Sequence, residues 1–134
     1  MELVKQILVL ASNQPGTLAN ICGTLSDAQI SIQGISIVDH VDHALVRIVA
    51  DDVTRALHLL GESGLPVLED EALRIEIPGG PGSLEQIGNA AAEAGLNIHY
   101  AYASEPPGGG TASLIVKTSD DRKALEHLKQ LFLD

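Results

Sequence analysis

The chain of 134 residues contains no Trp, one Phe and two Tyr, so its core has to be built from aliphatic side chains. The hydrophobic fraction of 45% is sufficient for such a core. A single cysteine, Cys22, excludes an intramolecular disulfide framework and a metal site made of several cysteines. No apolar run approaches the ~20 residues of a membrane span, and the N-terminus is typical of a first strand rather than a signal peptide. We therefore expect a soluble, cytoplasmic protein.

Basic residues are also scarce. Eight Lys and Arg stand against eighteen Asp and Glu, and the formal net charge is −10. A chain of this charge repels phosphate backbones and acidic lipid headgroups. The composition therefore indicates that neither a nucleic acid nor a membrane is a partner.

The chain contains an internal repeat. Residues 15–18 (Pro-Gly-Thr-Leu) align with residues 81–84 (Pro-Gly-Ser-Leu), an offset of 66 positions, and the alignment continues without a gap through Ile32 and Ile98. Further on, Asp52 aligns with Asp120 at an offset of 68, and we expect the glycine-rich segment 106–110 to absorb the two extra residues. The repeat predicts two small domains, 1–70 and 71–134, rather than one domain.

Each repeat has the same pattern of predicted elements. In the first, an apolar strand (3–10) precedes a helix that begins at Pro15, followed by two strands (30–38 and 43–50). Asp51 or Asp52 is expected to cap a second helix, and a short fourth strand follows Pro66. In the second, the predicted elements are a strand at 72–78, a helix at 81–94, strands at 96–104 and 112–118, and a helix at 120–131. Only residues 131–134 remain there for a fourth strand, which we expect to be short or missing.

The two repeats carry residues that resemble a known family. The turn Asn13-Gln14-Pro15-Gly16-Thr17-Leu18 opens the first helix, and the second repeat has Pro81-Gly82-Ser83-Leu84 and then Gly95-Leu96-Asn97-Ile98 before a strand. These motifs, and their doubling over nearly the whole chain, resemble a tandem pair of ACT domains. The resemblance implies an α+β fold of two ferredoxin-like βαββαβ modules. It further implies that they pair side by side into one mixed, mainly antiparallel sheet of eight strands, with the helices on one face.

The resemblance also implies a function, since ACT modules most often sense amino acids at the seam between two modules. The residues suit such a ligand, because free N–H groups at a helix N-terminus attract a carboxylate and an Asn amide can satisfy either end of the molecule. The better-formed site is expected to use Asn13, Gly16, Thr17, Leu18 and Asn97, with Gln14 and Pro15 in the same turn. The pseudo-symmetric site is expected to be weaker, because it lacks both amides; it comprises Ser31, Gly79, Gly80, Gly82 and Ser83.

The sequence also allows other interpretations. Asn13 and Asn97 could be ordinary turn residues, and the chain could be an oligomerisation or interaction module that has lost its ligand. The cluster Asp39-His40-Val41-Asp42-His43 could hold a divalent ion, but polar residues also belong in a predicted hairpin turn. We find no nucleophile–base pair and no cofactor motif, and therefore predict no catalytic residue, no metal and no cofactor. The expected partners are an amino acid, a second copy of the chain and a metabolic enzyme that it regulates.

Overall fold

The computed structural model describes residues 1–104, 107 and 110–132. Within them the chain forms six strands and four helices. The bounds are β1 Glu2–Ser12, α1 Thr17–Asp27, β2 Ile32–Asp39, β3 His43–Ala50, α2 Val53–Glu62, β4 Val67–Pro78, α3 Ser83–Glu93, β5 Ile98–Ser104, β6 Thr111–Thr118 and α4 Asp121–Leu128. This order confirms the predicted tandem α+β fold. None of the helices in the described part of the chain is long and apolar enough to cross a membrane.

The chain divides into two compact units. Residues 5–70 form the N-terminal unit, in which the strand order is β2-β3-β1-β4. Residues 1–4 and 71–134 form the C-terminal unit, in which the order is β1-β4-β6-β5. The pairs β1–β3, β2–β3, β4–β6 and β5–β6 are all antiparallel.

Strand β4 differs from the sequence-based expectation. A short fourth strand and a separate strand at 72–78 were predicted, whereas Val67–Pro78 is one continuous strand of 12 residues. Its first residues complete the sheet of the N-terminal unit and its remaining residues belong to the C-terminal unit. The prediction of eight strands is therefore wrong for the described residues, because no turn separates the end of one βαββαβ pattern from the start of the next.

The predicted fourth strand of the second repeat, residues 131–134, does not form in the residues that the structure describes. Residues 131 and 132 lie in a turn, and the last two positions of the predicted fourth strand lie outside the described residues. In the C-terminal unit the start of β1 lies beside β4, where Arg74 Nε donates a hydrogen bond to Glu2 Oε1 (3.1 Å). This neighbour of β4 thus comes from the beginning of the chain.

The two units repeat each other in register as well as in element order. Ile7 pairs with Ile48 in the N-terminal unit, and Leu73 pairs with Val116 at the equivalent positions of the C-terminal unit. The edge strands β2 and β5 each have a bulge at the same place, after Ile32 and after Ile98. These registers place the two-residue insertion between β5 and β6, as the sequence predicted. Most of that connection, including Pro106, Gly108 and Gly109, lies outside the described residues.

Each unit has its own aliphatic core beneath two helices. Helix α1 buries Ile21 and Leu25, and α3 buries Ile87 and Ala91 at the equivalent positions. These side chains pack with alternate residues of the strands, and each fully buried Ile or Leu contributes about 1.5–3 kcal/mol of transfer free energy. The N-terminal core comprises Ile7, Val9, Ala11, Ile21, Leu25, Ile30, Val46, Ile48, Ala50, Ala56 and Leu60. The C-terminal core comprises Leu73, Ile75, Ile77, Ile87, Ala91, Leu96, Ala112, Leu114, Val116, Ala124 and Leu128.

Candidate functional site

The turn between β1 and α1 leaves backbone donors exposed. Gly16 adopts a left-handed conformation (φ 87°) as the N-cap of α1, so the helix begins at Thr17 and not at Pro15 as predicted. Thr17 N donates to Gln14 O (3.3 Å) and Asn20 N donates to Gly16 O (3.0 Å). No side chain caps this helix, and within the described residues no acceptor satisfies the N–H groups of positions 18 and 19. Such groups, together with the helix dipole, attract a carboxylate.

The second helix of each unit is capped in the usual way. Asp52 Oδ1 accepts a hydrogen bond from Arg55 N (3.1 Å) at the start of α2, which identifies Asp52, not Asp51, as the capping residue. Asp120 Oδ1 accepts from Lys123 N (3.1 Å) at the start of α4. Helix α3, like α1, begins after a left-handed glycine, Gly82 (φ 103°), and has no side-chain cap. Both units therefore leave the same helix N-terminus open and close the other.

Two cavities of the N-terminal unit meet at this turn. Both include Ser12 and Thr17, whose hydroxyl oxygens lie 3.3 Å apart. The larger, about 320 Å³, is rich in hydroxyl groups and is lined by Ser12, Thr17, Asn20, Ile21, Thr24, Ser63 and Leu65. The smaller, about 100 Å³, is mostly apolar and is lined by Ser12, Asn13, Gln14, Thr17, Leu18, Ile21, Ile37, Ala44 and Val46. Among the described residues no charged side chain lines either cavity, so neutral polar groups lie on one side of Thr17 and aliphatic groups on the other.

The C-terminal unit has a cavity in the equivalent place. Its volume is about 220 Å³, and it is lined by Ile77, Pro78, Gly80, Ser83, Leu84, Ala103, Ser104 and Ala112. Six of these residues are the repeat equivalents of residues that line the 100 Å³ cavity. Ser83 is buried, and its hydroxyl donates to Pro78 O (2.8 Å). The structure thus groups the predicted residues Asn13, Gln14, Thr17 and Leu18 around one cavity, and Gly80 and Ser83 around its counterpart.

Asn97 and Ser31 occupy equivalent turns before β5 and β2, and in each the backbone is held by two hydrogen bonds. Asn97 N donates to Ser119 Oγ (3.0 Å), and Ser119 N donates to Asn97 O (2.9 Å). Ser31 N donates to Asp51 Oδ1 (3.0 Å), and Asp51 N donates to Ser31 O (3.1 Å). Ser31 lines a cavity that shares no residue with the two at the β1–α1 turn. Asn13 and Asn97 belong to different units.

The cluster considered for a metal forms a tight hairpin turn between β2 and β3. His40 N donates to His43 O (2.8 Å), His43 N donates to His40 O (3.2 Å), and the two imidazole rings are 5.5 Å apart between centroids. Val41 at the tip is 95% exposed. In the part of the chain that the structure describes, no three ligating side chains converge on a common point.

The other three histidines do not line the cavities described above, whereas Cys22 lines the one beside Ser31. His58 Nε2 lies 3.0 Å from Glu62 Oε1 on the exposed face of α2. His99 and His127 are exposed. Cys22 is half-buried and lines a depression of about 390 Å³ beside Ser31.

Sequence reasoning missed one buried polar cluster of the C-terminal unit. The side chain of Asp121 is 5% exposed, and its Oδ1 accepts hydrogen bonds from Thr118 N and Thr118 Oγ1, both at 2.8 Å. Its Oδ2 lies 3.0 Å from Lys117 Nζ, which also donates to Glu71 O (2.6 Å). The only signal in the sequence is the Thr-x-x-Asp spacing, which also occurs on exposed surfaces. The repeat equivalents of Lys117, Thr118 and Asp121 are apolar: Val49, Ala50 and Val53.

The repeated register, the paired cores and the open first helices define a tandem of ferredoxin-like α+β units. The chain belongs to the ACT domain family: it matches the ACT domain pair over residues 2–133. The resemblance inferred from the two Pro-Gly turns is therefore confirmed.

Several solved structures share this fold. A protein of Bacteroides thetaiotaomicron is 23% identical, with a TM-score of 0.91, over 98% of this chain and 90% of its own. The regulatory subunit of aspartate kinase from Thermus thermophilus, in its ligand-free form, is 21% identical, with a TM-score of 0.71, over 98% of this chain and 96% of its own. The corresponding subunit from Thermus flavus is 22% identical, with a TM-score of 0.66, over the same shares of the two chains. No protein of curated function matches the sequence.

Proposed function

We propose that this chain is a cytoplasmic regulatory protein without catalytic activity, which binds an amino acid and modulates a metabolic enzyme. The observation that carries the proposal is the open N-terminus of α1. In the same unit α2 is capped by Asp52, whereas the N–H groups of residues 18 and 19 in α1 have no acceptor among the described residues. This first turn of α1 borders two cavities. A free amino acid supplies the missing carboxylate.

The lining of the cavities supports a zwitterionic ligand. A carboxylate accepts hydrogen bonds from the backbone at the start of α1, while the ammonium group donates to side-chain oxygens of Ser12, Asn13 or Thr17. The adjoining apolar cavity, with Leu18 and Ile37 in its wall, receives the side chain. The absence of charged residues from both linings favours an uncharged side chain over an acidic or basic one.

The regulatory part of the proposal rests on the family. The regulatory subunits of aspartate kinase from two Thermus species have the same fold as this chain. A ligand that binds one arrangement of the protein better than another shifts the population, and a bound enzyme responds to that shift. Aspartate kinase is therefore the first enzyme with which to test for a complex.

A thermal-shift screen against the twenty amino acids tests ligand binding. A ligand that binds only the folded state stabilises it by RT ln(1 + [L]/Kd), which is about 2.7 kcal/mol at a concentration of 100 Kd. Thr17→Val removes the hydroxyl group at nearly constant shape and is expected to weaken binding at least tenfold. Thr54→Val, on the exposed face of α2, is the matched control and should leave binding unchanged.

The amides predicted from the sequence are tested in the same assay. Asn13→Ala and Asn97→Ala are each expected to weaken binding, because the sequence assigns both amides to the ligand. Asn89→Ala, an exposed position on α3, is the control. A flat screen at millimolar concentrations would contradict the proposal as a whole.

A second candidate function is an interaction module without a ligand. Strand β2 lies at the edge of its unit and exposes Ile35 (39%) and Ile37 (47%), and unpaired edge strands with apolar side chains invite pairing with another chain. A homodimer formed through this edge is the form we propose for it. Sedimentation equilibrium of the wild type and of Ile35→Lys tests the proposal, and a monomeric wild type refutes it.

A further inference from the structure

The cavity of about 100 Å³ at the first Pro-Gly turn (the N-terminal cavity) and the cavity of about 220 Å³ at the second (the C-terminal cavity) occupy equivalent positions in the repeat. Their walls differ. Positions 37 and 103 correspond in the repeat, and the strand register is the same: Ile37 pairs with Val46, and Ala103 pairs with Leu114. Both residues line their cavity. The wall of the N-terminal cavity thus carries an isoleucine where the wall of the C-terminal cavity carries an alanine.

A second wall position changes in the same direction. Gln14 lines the N-terminal cavity, and its repeat equivalent in the C-terminal cavity is Gly80, which has no side chain. The volumes follow these differences, at about 100 Å³ for the N-terminal cavity and about 220 Å³ for the C-terminal cavity. The C-terminal cavity is therefore more than twice as large as the N-terminal cavity whose lining it repeats.

The two cavities also differ in polarity. Thr17 is half-buried, and its Oγ1 lies 3.3 Å from Ser12 Oγ; each hydroxyl group can make a further hydrogen bond to a ligand. In the C-terminal unit Pro78 replaces Ser12, and the Ser83 hydroxyl donates its proton to Pro78 O. The Ser83 hydroxyl is thus engaged by the backbone, while Ile77 and Ser104 line the C-terminal cavity at positions whose repeat equivalents do not line the N-terminal one.

We propose that the two units select amino acids by side-chain size, with Ile37 and Ala103 as the determining residues. The N-terminal cavity takes a small side chain, such as that of alanine, and the C-terminal cavity takes a bulky aliphatic one, such as that of leucine. This inference rests on the proposed amino-acid binding at the open helix N-termini. From the amides alone, the site at Asn13 was expected to be the better-formed one. For a larger ligand the present proposal favours the C-terminal unit instead, because the space for the side chain, rather than Asn13, decides which unit accepts it.

Titrations of the full chain with L-alanine and L-leucine, followed by amide chemical shifts, test the proposal. In the wild type, L-leucine is expected to shift the amides of residues 82–84 and L-alanine those of residues 16–18. Ala103→Ile reproduces the wall of the other unit and should weaken leucine binding at least about tenfold, because even one methylene in a hydrophobic pocket changes selectivity by that much. Ile37→Ala should bring leucine binding to residues 14–18.

Each variant has a matched control on the same strand. Ala101→Ile adds the same side chain two residues away, at a position whose repeat equivalent, Ile35, shows that isoleucine is tolerated. Val38→Ala removes apolar bulk next to Ile37 without touching the cavity lining. Both controls should bind as the wild type does.

Two results would overturn the inference, and they are distinguishable. If an amino acid binds but neither Ile37→Ala nor Ala103→Ile changes the preference between leucine and alanine, the size selection is wrong and the proposed function stands. If no amino acid shifts any amide of either turn, the proposed function fails, and the size selection fails with it.

Discussion

The two units fill the positions of the buried cluster around Asp121 with different side chains, which are polar in one unit and apolar in the other. In the C-terminal unit a carboxylate, a hydroxyl and an ammonium group occupy positions where the N-terminal unit has Val53, Ala50 and Val49. The substitution Asp121→Val introduces the residue of the N-terminal unit, Val53, at this position while Lys117 and Thr118 stay in place. It removes the hydrogen bonds from Thr118 N and Oγ1 and the ion pair with Lys117.

The expected cost follows from the groups left behind. A buried donor without an acceptor costs about 1–3 kcal/mol. Thr118 N loses its carboxylate partner, while Lys117, whose side chain is 22% exposed, keeps its hydrogen bond to Glu71 O and recovers some hydration. We therefore expect Asp121→Val to lower the free energy of unfolding by about 3 kcal/mol, at the lower end of the ~3–5 kcal/mol typical of a broken buried ion pair.

The triple substitution Lys117→Val, Thr118→Ala, Asp121→Val replaces all three polar residues by their equivalents in the N-terminal unit. A buried ion pair replaced by apolar residues of suitable shape is often neutral or stabilising, because the cost of removing two charges from water disappears. We expect the triple variant to lie within about 1 kcal/mol of the wild type. Adding two substitutions to the destabilised single variant should thus restore most of its stability.

Urea unfolding followed by circular dichroism at 222 nm measures these differences, and thermal melts should show a fall of roughly 10 °C for Asp121→Val. The m-value should stay constant, so that a shifted midpoint reports stability alone. A stability of Asp121→Val equal to that of the wild type would contradict the stabilising role of the buried cluster. A triple variant as unstable as the single one would contradict it as well, since the cost would then come from shape and not from the unpaired polar groups.

Two further predictions concern the helix ends. Gly16→Ala is expected to destabilise the protein by about 1–2 kcal/mol, because φ is 87° there although a Cβ would meet no atom within 4 Å. Gly23→Ala, inside α1 and equally unobstructed, should stabilise it by about 0.5–1 kcal/mol, so the pair separates backbone strain from packing in one melting experiment. Asp52→Ala and Asp120→Ala should each cost about 1 kcal/mol, the usual loss for a cap, with Thr54→Ala near zero as the control. Equal melting temperatures for Asp52→Ala and Thr54→Ala would contradict the assigned role of Asp52.

Much of the fold could be predicted because the repeat is local and periodic. Spacings of three and four residues place Ile21 and Leu25 on one face of α1, and both are buried. The Pro-Gly turns mark the first helix of each unit, although the helices begin two residues after the proline. That shift follows from the positive φ of Gly16 and Gly82, a property of the tertiary turn that a proline preference does not encode.

The candidate site could be predicted only in part. The turn residues Asn13, Gln14, Thr17 and Leu18 are consecutive or nearly so, and the structure gathers them around one cavity. Ile37 and Ala44 complete that cavity from two other strands, and no local pattern marks them as site residues. Ser63 and Leu65, which line the larger cavity, were missed for the same reason.

By itself the sequence determined the repeat, the aliphatic cores and the family, since each depends on residue types at short, regular spacings. The tertiary structure alone decided that β4 runs unbroken from Val67 to Pro78, that Asp121 is buried, and that equivalent cavities differ in volume. These features depend on strand pairing and on contacts between residues tens of positions apart. The physical reason is that burial and cavity volume are set by which distant side chains meet, and a one-dimensional pattern of residues does not specify that.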